Sequence, residues 1–251
     1  MAQQRLDKII ASTGRYSRRE VKTLVREGRV LVDGRIAASA EDKCDPLTAR
    51  VSVNGEELFY REHTYVMLHK PAGVLSATED GRGETVLDLL APENRKIGLF
   101  PVGRLDKDTE GLLLLTDDGA LAHDLLAPKK HVDKVYFVRT DGALDDADCK
   151  AFERGITLGD GLECLPAKLE ILKSDAQSEA LITIHEGKFH QIKRMLASRG
   201  KPVVYLKRLS MGSLTLDEGL SKGEYRLLTA EEIKNLRESG QFAQGKAGAD
   251  K

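Results

Sequence analysis

Leu112-Leu113-Leu114-Leu115 is an uninterrupted apolar run. The charged stretch Gly103-Arg104-Leu105-Asp106-Lys107-Asp108-Thr109-Glu110-Gly111 precedes it and an Asp117-Asp118-Gly119 turn follows. Four leucines with no polar residue among them predict a fully buried strand. Such a strand needs neighbours, and the chain beyond residue 60 offers them at Tyr65 to Leu68, Val135 to Val138, Ala167 to Leu172, Ala180 to Ile184, Leu214 to Leu216 and Tyr225 to Leu228. Helices are expected around Leu121, Leu125 and Leu126 and over residues 188–198. Strands come in runs and outnumber helices, which predicts an α+β fold with a mixed, mainly antiparallel sheet rather than a βαβ series. With 251 residues, 41% of them hydrophobic, the chain can bury a sizeable core.

The first sixty residues follow another pattern. Leu6, Ile9 and Ile10 recur at helical spacing, and the helix should stop near Ser12-Thr13-Gly14. Ser17 followed by Glu20 is a capping box that opens a second helix. Val21, Leu24 and Val25 form its buried stripe, which leaves Arg18, Arg19, Lys22, Arg26 and Arg29 for the other face, and Gly28 supplies the stop. Hairpins are expected around Asp33-Gly34 and Asn54-Gly55. The expected partition is a small domain at 1–60, a sheet domain at 61–238 and a polar, glycine-rich mobile tail at 239–251.

Net charge hides an uneven distribution. Residues 1–35 carry nine Lys and Arg against four acidic residues, residues 185–210 carry seven against Glu186 alone, and the total is only -1. Two concentrated basic stretches suggest a polyanion bound along the surface, because clustered Lys and Arg displace counterions from phosphates. Cys44, Cys149 and Cys164 are far apart with no C-x-x-C pair, so neither a disulfide framework nor a structural zinc site is expected. No metal or nucleotide-binding motif emerges, and no cofactor is expected. No apolar run approaches the roughly 20 residues of a membrane span. The first twenty residues contain no continuous hydrophobic region, so a secretory signal is not expected and the chain is expected in the cytoplasm.

Two residues stand out chemically. Asp106 lies in a charged loop delivered onto the buried strand, where a carboxylate can sit at the floor of a cleft; as a plain turn residue it would do nothing. On the 188–199 segment Phe189, Ile192 and Leu196 make one apolar stripe with Lys193 on its flank, and such a lysine either snorkels to water or pairs with a carboxylate.

The stretch RLDKIIASTGRYSRREVKTLVREGRVLVDGR resembles the alpha-L RNA-binding motif named for a small-subunit ribosomal protein. HKPAGVLSA, VGRLDKDTEGLLLLTDDG, KVYFV and EGKFHQIKRM together resemble the pseudouridine synthases of the RsuA branch, and the combined similarity spans residues 3–235. The resemblance implies that Asp106 is the catalytic residue and that Tyr136 packs on the target base. Lys193 would be the partner of the aspartate, lowering its pKa and aiming it. It further implies RNA or substrate contacts from Arg104, Lys70, His190, Gln191 and Arg194, and from Arg18, Arg19, Lys22 and Arg26 of the first domain. Many relatives have Thr-Ser-Gly at Thr109-Glu110-Gly111 and arginine at Lys188, departures that touch loop and phosphate contacts and therefore target preference.

The reaction so implied is an isomerisation, in which a uridine's ribose-to-nitrogen bond breaks and a bond to carbon-5 of the uracil replaces it. A carboxylate suits the electron-poor detached stage, and the base must flip out of its helix to reach it. The partner implied is ribosomal RNA or a ribosome assembly intermediate, met by a monomer, with small-subunit RNA as the expected target. Two rivals stand beside this reading: the same chemistry on large-subunit RNA, and a non-catalytic RNA-binding assembly factor. A glycosidase would need a second, water-activating carboxylate, and none is assignable.

Overall fold

A computed structural model describes residues 3–46, 48–58 and 60–241. The chain divides into two compact units, Met1–Thr64 with Leu90–Leu99, and Tyr65–Leu89 with Phe100–Lys251. The contiguous partition at residue 60 had no means of showing that Leu90–Leu99 joins the first unit. One reason is visible at Gly14, whose φ is +74° and where a Cβ would stand 2.1 Å from the carbonyl oxygen of Glu93.

In the first unit, helices Leu6–Ala11 and Arg18–Arg26 accompany a four-stranded antiparallel sheet in the order Arg35–Ile36, Val30–Val32, Val51–Val53, Glu56–Leu58. Leu6, Ile9, Ile10, Val21, Leu24 and Val25 close the core against Val30, Val51 and Val53. The capping box is present: Ser17 N–H donates to Glu20 Oε2 (2.6 Å) and Glu20 N–H to Ser17 Oγ (3.2 Å).

Among the described residues the second unit is built on one nine-stranded sheet. Its strands in chain order are β1 (Tyr65–Lys70), β2 (Phe100–Pro101), β3 (Glu110–Thr116), β4 (Lys134–Asp141), β5 (Lys168–Lys173), β6 (Gln177–Ile184), β7 (Val203–Met211), β8 (Leu214–Thr215) and β9 (Tyr225–Leu227). They lie in the order β5-β6-β4-β7-β3-β1-β9, with β8 on β7 and β2 on β3. Only the β7–β3 pairing is parallel, so the sheet is mixed and mainly antiparallel. At that junction Gly111 pairs with Arg208 and has φ +106°; a Cβ there would lie 2.2 Å from the Arg208 carbonyl oxygen.

The four leucines behave as their pattern predicts: none is more than 1% exposed. Leu112 and Leu114 share a cluster with Leu121 and Leu125 of helix Gly119–Leu126 and Leu236 of helix Ala230–Gln241.

Several elements differ from expectation. β7, nine residues long, was not expected as a strand, because Lys207 and Arg208 interrupt its apolar pattern. Helices Asp146–Arg154 and Ala230–Gln241 were not anticipated either. The second takes in residues 239–241, which the sequence assigned to a tail; residues 242–251 of that tail lie outside the described residues. The helix expected over 188–198 is Gln191–Ser198, because His190 adopts a left-handed conformation (φ 50°, ψ 33°) that ends helical geometry there. Phe189 therefore does not belong to the apolar stripe. No described helix is long and apolar enough to cross a membrane.

Candidate active site

The loop that carries Asp106 is braced from the segment 70–76. Lys70, the last residue of β1, is fully buried, and its ammonium reaches the carbonyl oxygens of Pro71 (3.0 Å), Asp106 (3.2 Å), Lys107 (3.2 Å) and Thr109 (2.9 Å). Burial pushes its pKa down to about 8, against the pull of Asp108, Asp106 and Glu110. Gly73 N–H donates to Lys107 O (2.7 Å). Ser76 Oγ accepts from Leu105 N–H (3.1 Å) and donates to Leu105 O (2.9 Å). Loop and brace thus form one hydrogen-bonded body, which fixes the direction of the Asp106 side chain.

Asp106 opens into a small cleft lined by Arg104, Leu105, Tyr136, Ile184, Lys188, His190, Lys193 and Leu206 among others. Lys193 Nζ, from the first turns of helix Gln191–Ser198, stands 3.1 Å from Asp106 Oδ2 and 2.5 Å from Asp108 Oδ1. Burial opposes the lysine's charge, but hydrogen bonds to Asp108 and Asp106 outweigh it and hold its pKa above the ordinary range. The same contact holds the Asp108 carboxyl below the usual carboxylate range. Asp108 is a second acceptor that sequence reasoning passed over, though its i+2 position from Asp106 was in view. His190 Nε2 is 3.6 Å from Asp106 Oδ1, beyond hydrogen-bond length.

Tyr136 comes from β4, where alternation sends Lys134, Tyr136, Val138 and Thr140 to the buried side. It is 7% exposed, and among the described residues its hydroxyl has no hydrogen-bond partner. Leu105, Tyr136, Ile184, Ile192 and Leu206 supply apolar and aromatic walls, while Lys193 and His190 stand within 3.6 Å of the Asp106 carboxylate. A planar, uncharged ring fits such a cleft, held against Tyr136 with its polar edge toward the carboxylate.

Other residues fall elsewhere. Lys70 cannot be an RNA contact: its ammonium is enclosed by backbone oxygens. Gln191 is 4% exposed, and its amide is engaged at both ends, accepting from Lys188 N–H (3.0 Å) and donating to Glu186 Oε1 (2.8 Å), so it holds the turn before the helix rather than RNA. Arg194 points to Asp160 (2.6 Å) and does not line the cleft. Glu110, expected to affect phosphate contacts, is 7% exposed and bound to Lys222 (2.8 Å) and the Tyr205 hydroxyl (2.8 Å). Lys188 lines the cleft but is paired with Glu186 (2.9 Å). Arg104 is exposed on the rim with no ion-pair partner among the described residues. In the first unit Arg18, Arg19, Lys22 and Arg26 all project from one helix into solvent, and among the described residues only Lys22 of these four has an ion-pair partner, Glu41 at 3.5 Å.

Residues 64–198 match the RNA pseudouridylate synthase family model and residues 4–46 the S4 domain model. The chain is 51% identical to an uncharacterized RNA pseudouridine synthase, YtzG, of Bacillus subtilis (strain 168), over 93% of this chain and 98% of that one. It is 41% identical to the ribosomal small subunit pseudouridine synthase A of Vibrio cholerae, over 92% and 99% of the two chains. Identity to the ribosomal large subunit pseudouridine synthase B of Bacillus subtilis is 39%, over 93% and 96%. A crystal structure of a pseudouridylate synthase superposes with a TM-score of 0.65 at 37% identity, covering 92% of this chain and 99% of that one.

Proposed function

The chain belongs to the RNA pseudouridylate synthase family, and on that premise we propose that it converts a uridine of small-subunit ribosomal RNA to pseudouridine, with Asp106 as the catalytic carboxylate. The observation that carries this reading is the Asp106 carboxylate, aimed by a braced loop and fixed by Lys193 at 3.1 Å, in one cleft with Tyr136. Two relatives with small-subunit and large-subunit names match at near-equal identity, so the choice of subunit rests on the slightly nearer relative.

The flipped uracil lies against Tyr136, and the carboxylate faces the link between sugar and base. The C1′–N1 bond breaks and the freed ring turns. A C1′–C5 bond then forms, the C5 proton leaves and N1 gains one, so the atoms balance without a second substrate. Asp106 offers its negative charge to the electron-poor centre of the detached stage. Lys193 keeps that charge in place, shared with Asp108.

The test is a map of pseudouridine in ribosomal RNA from cells with the gene, without it, and carrying Asp106→Asn. One small-subunit site should vanish in the deletion and fail to return with Asp106→Asn. Loss confined to large-subunit RNA would overturn the target but keep the chemistry; restoration by Asp106→Asn would overturn the assignment of the carboxylate.

A further inference from the structure

Among the described residues of the second unit Phe189 is the most exposed large apolar side chain, at 71%. It lies flat on His190, ring centroids 3.8 Å apart and planes 18° from parallel. The imidazole beneath it faces inward, with Nε2 3.6 Å from Asp106 Oδ1. His190 reaches this pose through a left-handed backbone, a conformation that is unfavourable for a residue with a Cβ and persists only where its surroundings enforce it. Gln191 does so here, closing the turn through Lys188 N–H. One ring is therefore held at the cleft, and a second is backed by it with its outer face open to water. Arg104, exposed and without an ion-pair partner among the described residues, sits on the rim of the same cleft.

Among the described residues no other aromatic ring stacks on that outer face. An exposed, supported aromatic plane beside a positive rim matches one chemistry well, the π-face of a nucleobase on an anionic backbone. Flipping a uridine also strips its neighbour of a stacking partner, so a plane next to the pocket can replace what the neighbour loses. We infer that Phe189, backed by His190, is the platform on which the base adjoining the flipped uridine stacks. The inference rests on the RNA-modifying reading above and adds a second base contact outside the cleft.

The chain has no tryptophan, so Phe189→Trp places a single indole at the platform. Small-subunit and large-subunit RNA transcripts are the probes, titrated while indole emission is recorded, with tritium release from carbon-5-labelled uridine measured in parallel. Emission should be quenched on addition of the RNA that is turned over. Phe189→Ala and Phe189→Leu should raise KM about tenfold, equivalent to about 1.4 kcal/mol, with the loss falling on KM rather than kcat, and Phe189→Trp should restore it. Because Phe189 is exposed, neither truncation threatens folding. Wild-type turnover with normal KM in Phe189→Ala, or with RNA bound and no quenching, would overturn the platform alone. A normal KM in Phe189→Leu would mean a general apolar contact and overturn stacking. Absence of wild-type turnover on either transcript would overturn the function and the platform together.

Discussion

Replacing Lys70 by methionine separates loop positioning from chemistry, since the side chain touches no cleft surface. Methionine keeps the volume and removes the ammonium. A fall in pKa from 10.5 to about 8 means that burial works against the charge by about 3 kcal/mol, a cost the substitution relieves. Against this, four carbonyl oxygens within 3.2 Å lose a donor with three protons to share among them. At about 1–3 kcal/mol for each of the three hydrogen bonds those protons can make, a rigid loop would lose more than it regains, by roughly 3 kcal/mol at mid-range. Opening of the loop to water would lessen that loss but displace Asp106, and a shift near 1 Å costs on the order of 10²-fold in rate. We expect kcat to fall about 100-fold by tritium release, with a loss of at most about 3 kcal/mol in urea unfolding. The pH dependence carries a second signature. Lys70 and Lys134 are both brought down to about 8 by burial, so between pH 8 and 10 the unfolded chain holds protons the folded one has released, and their contribution to stability rises with pH. Tyr205, raised to about 12 by burial and the Glu110 hydrogen bond, and Tyr65, raised likewise by burial and Asp118, reverse the trend above pH 10. Lys70→Met should remove about half of the rise between pH 8 and 10. A variant that turns over within threefold of wild type, or keeps the full rise, would refute the brace.

Lys193→Met should lower activity by ~10²-fold or more without weakening RNA binding, because the charge fixed at Asp106 is gone; unchanged turnover would make the lysine dispensable. Gly111→Ala should destabilise the second unit by about 3 kcal/mol or more in chemical denaturation, since a methyl group must displace the Arg208 backbone and adopt a positive φ. Changing Arg18, Arg19 and Lys22 together to alanine should raise KM for ribosomal RNA and flatten its salt dependence by about two to three counterions, leaving kcat nearly unchanged. Loss of kcat with normal RNA binding in that triple variant would mean that the first unit acts on the chemistry itself.

Local signals were legible where one physical demand dominated. Leu112 to Leu115 could only be interior, and Ser17 and Glu20 could only satisfy a helix start. β7 escaped because Arg208 breaks its apolar pattern, yet that arginine is 2% exposed and donates to Leu112 O at 2.7 Å. Long-range pairing, invisible in a linear pattern, makes it an interior residue. The same blindness turned Lys70 into a surface contact: a lysine reads as solvated unless the carbonyls that enclose it, three of them more than thirty residues away in sequence, are known. Phe189 was misplaced for the opposite reason, since its helical spacing was real but one left-handed residue, His190, cut the helix short. For the cleft itself, residue chemistry pointed to Asp106 and Lys193, whereas the second acceptor Asp108 needed three dimensions.

The parallel junction of β3 and β7 also sets an order in time. Glu110 meets Tyr205 across 95 residues and Asp108 meets Lys193 across 85, so neither contact can form while the chain that supplies the partner is still being synthesised. A nascent chain that has released only its first unit and β1 to β3 carries an Asp106 loop without Lys193 and a β3 whose first residues, Glu110 and Gly111, still lack their β7 partners. Closing such distant pairs is slow, and the unpaired start of the strand would be open to misassociation in the interval. The proposed active site is thus completed only once residue 193 has been made, and ribosome-bound chains stalled before it should hold a folded S4 unit while remaining inert.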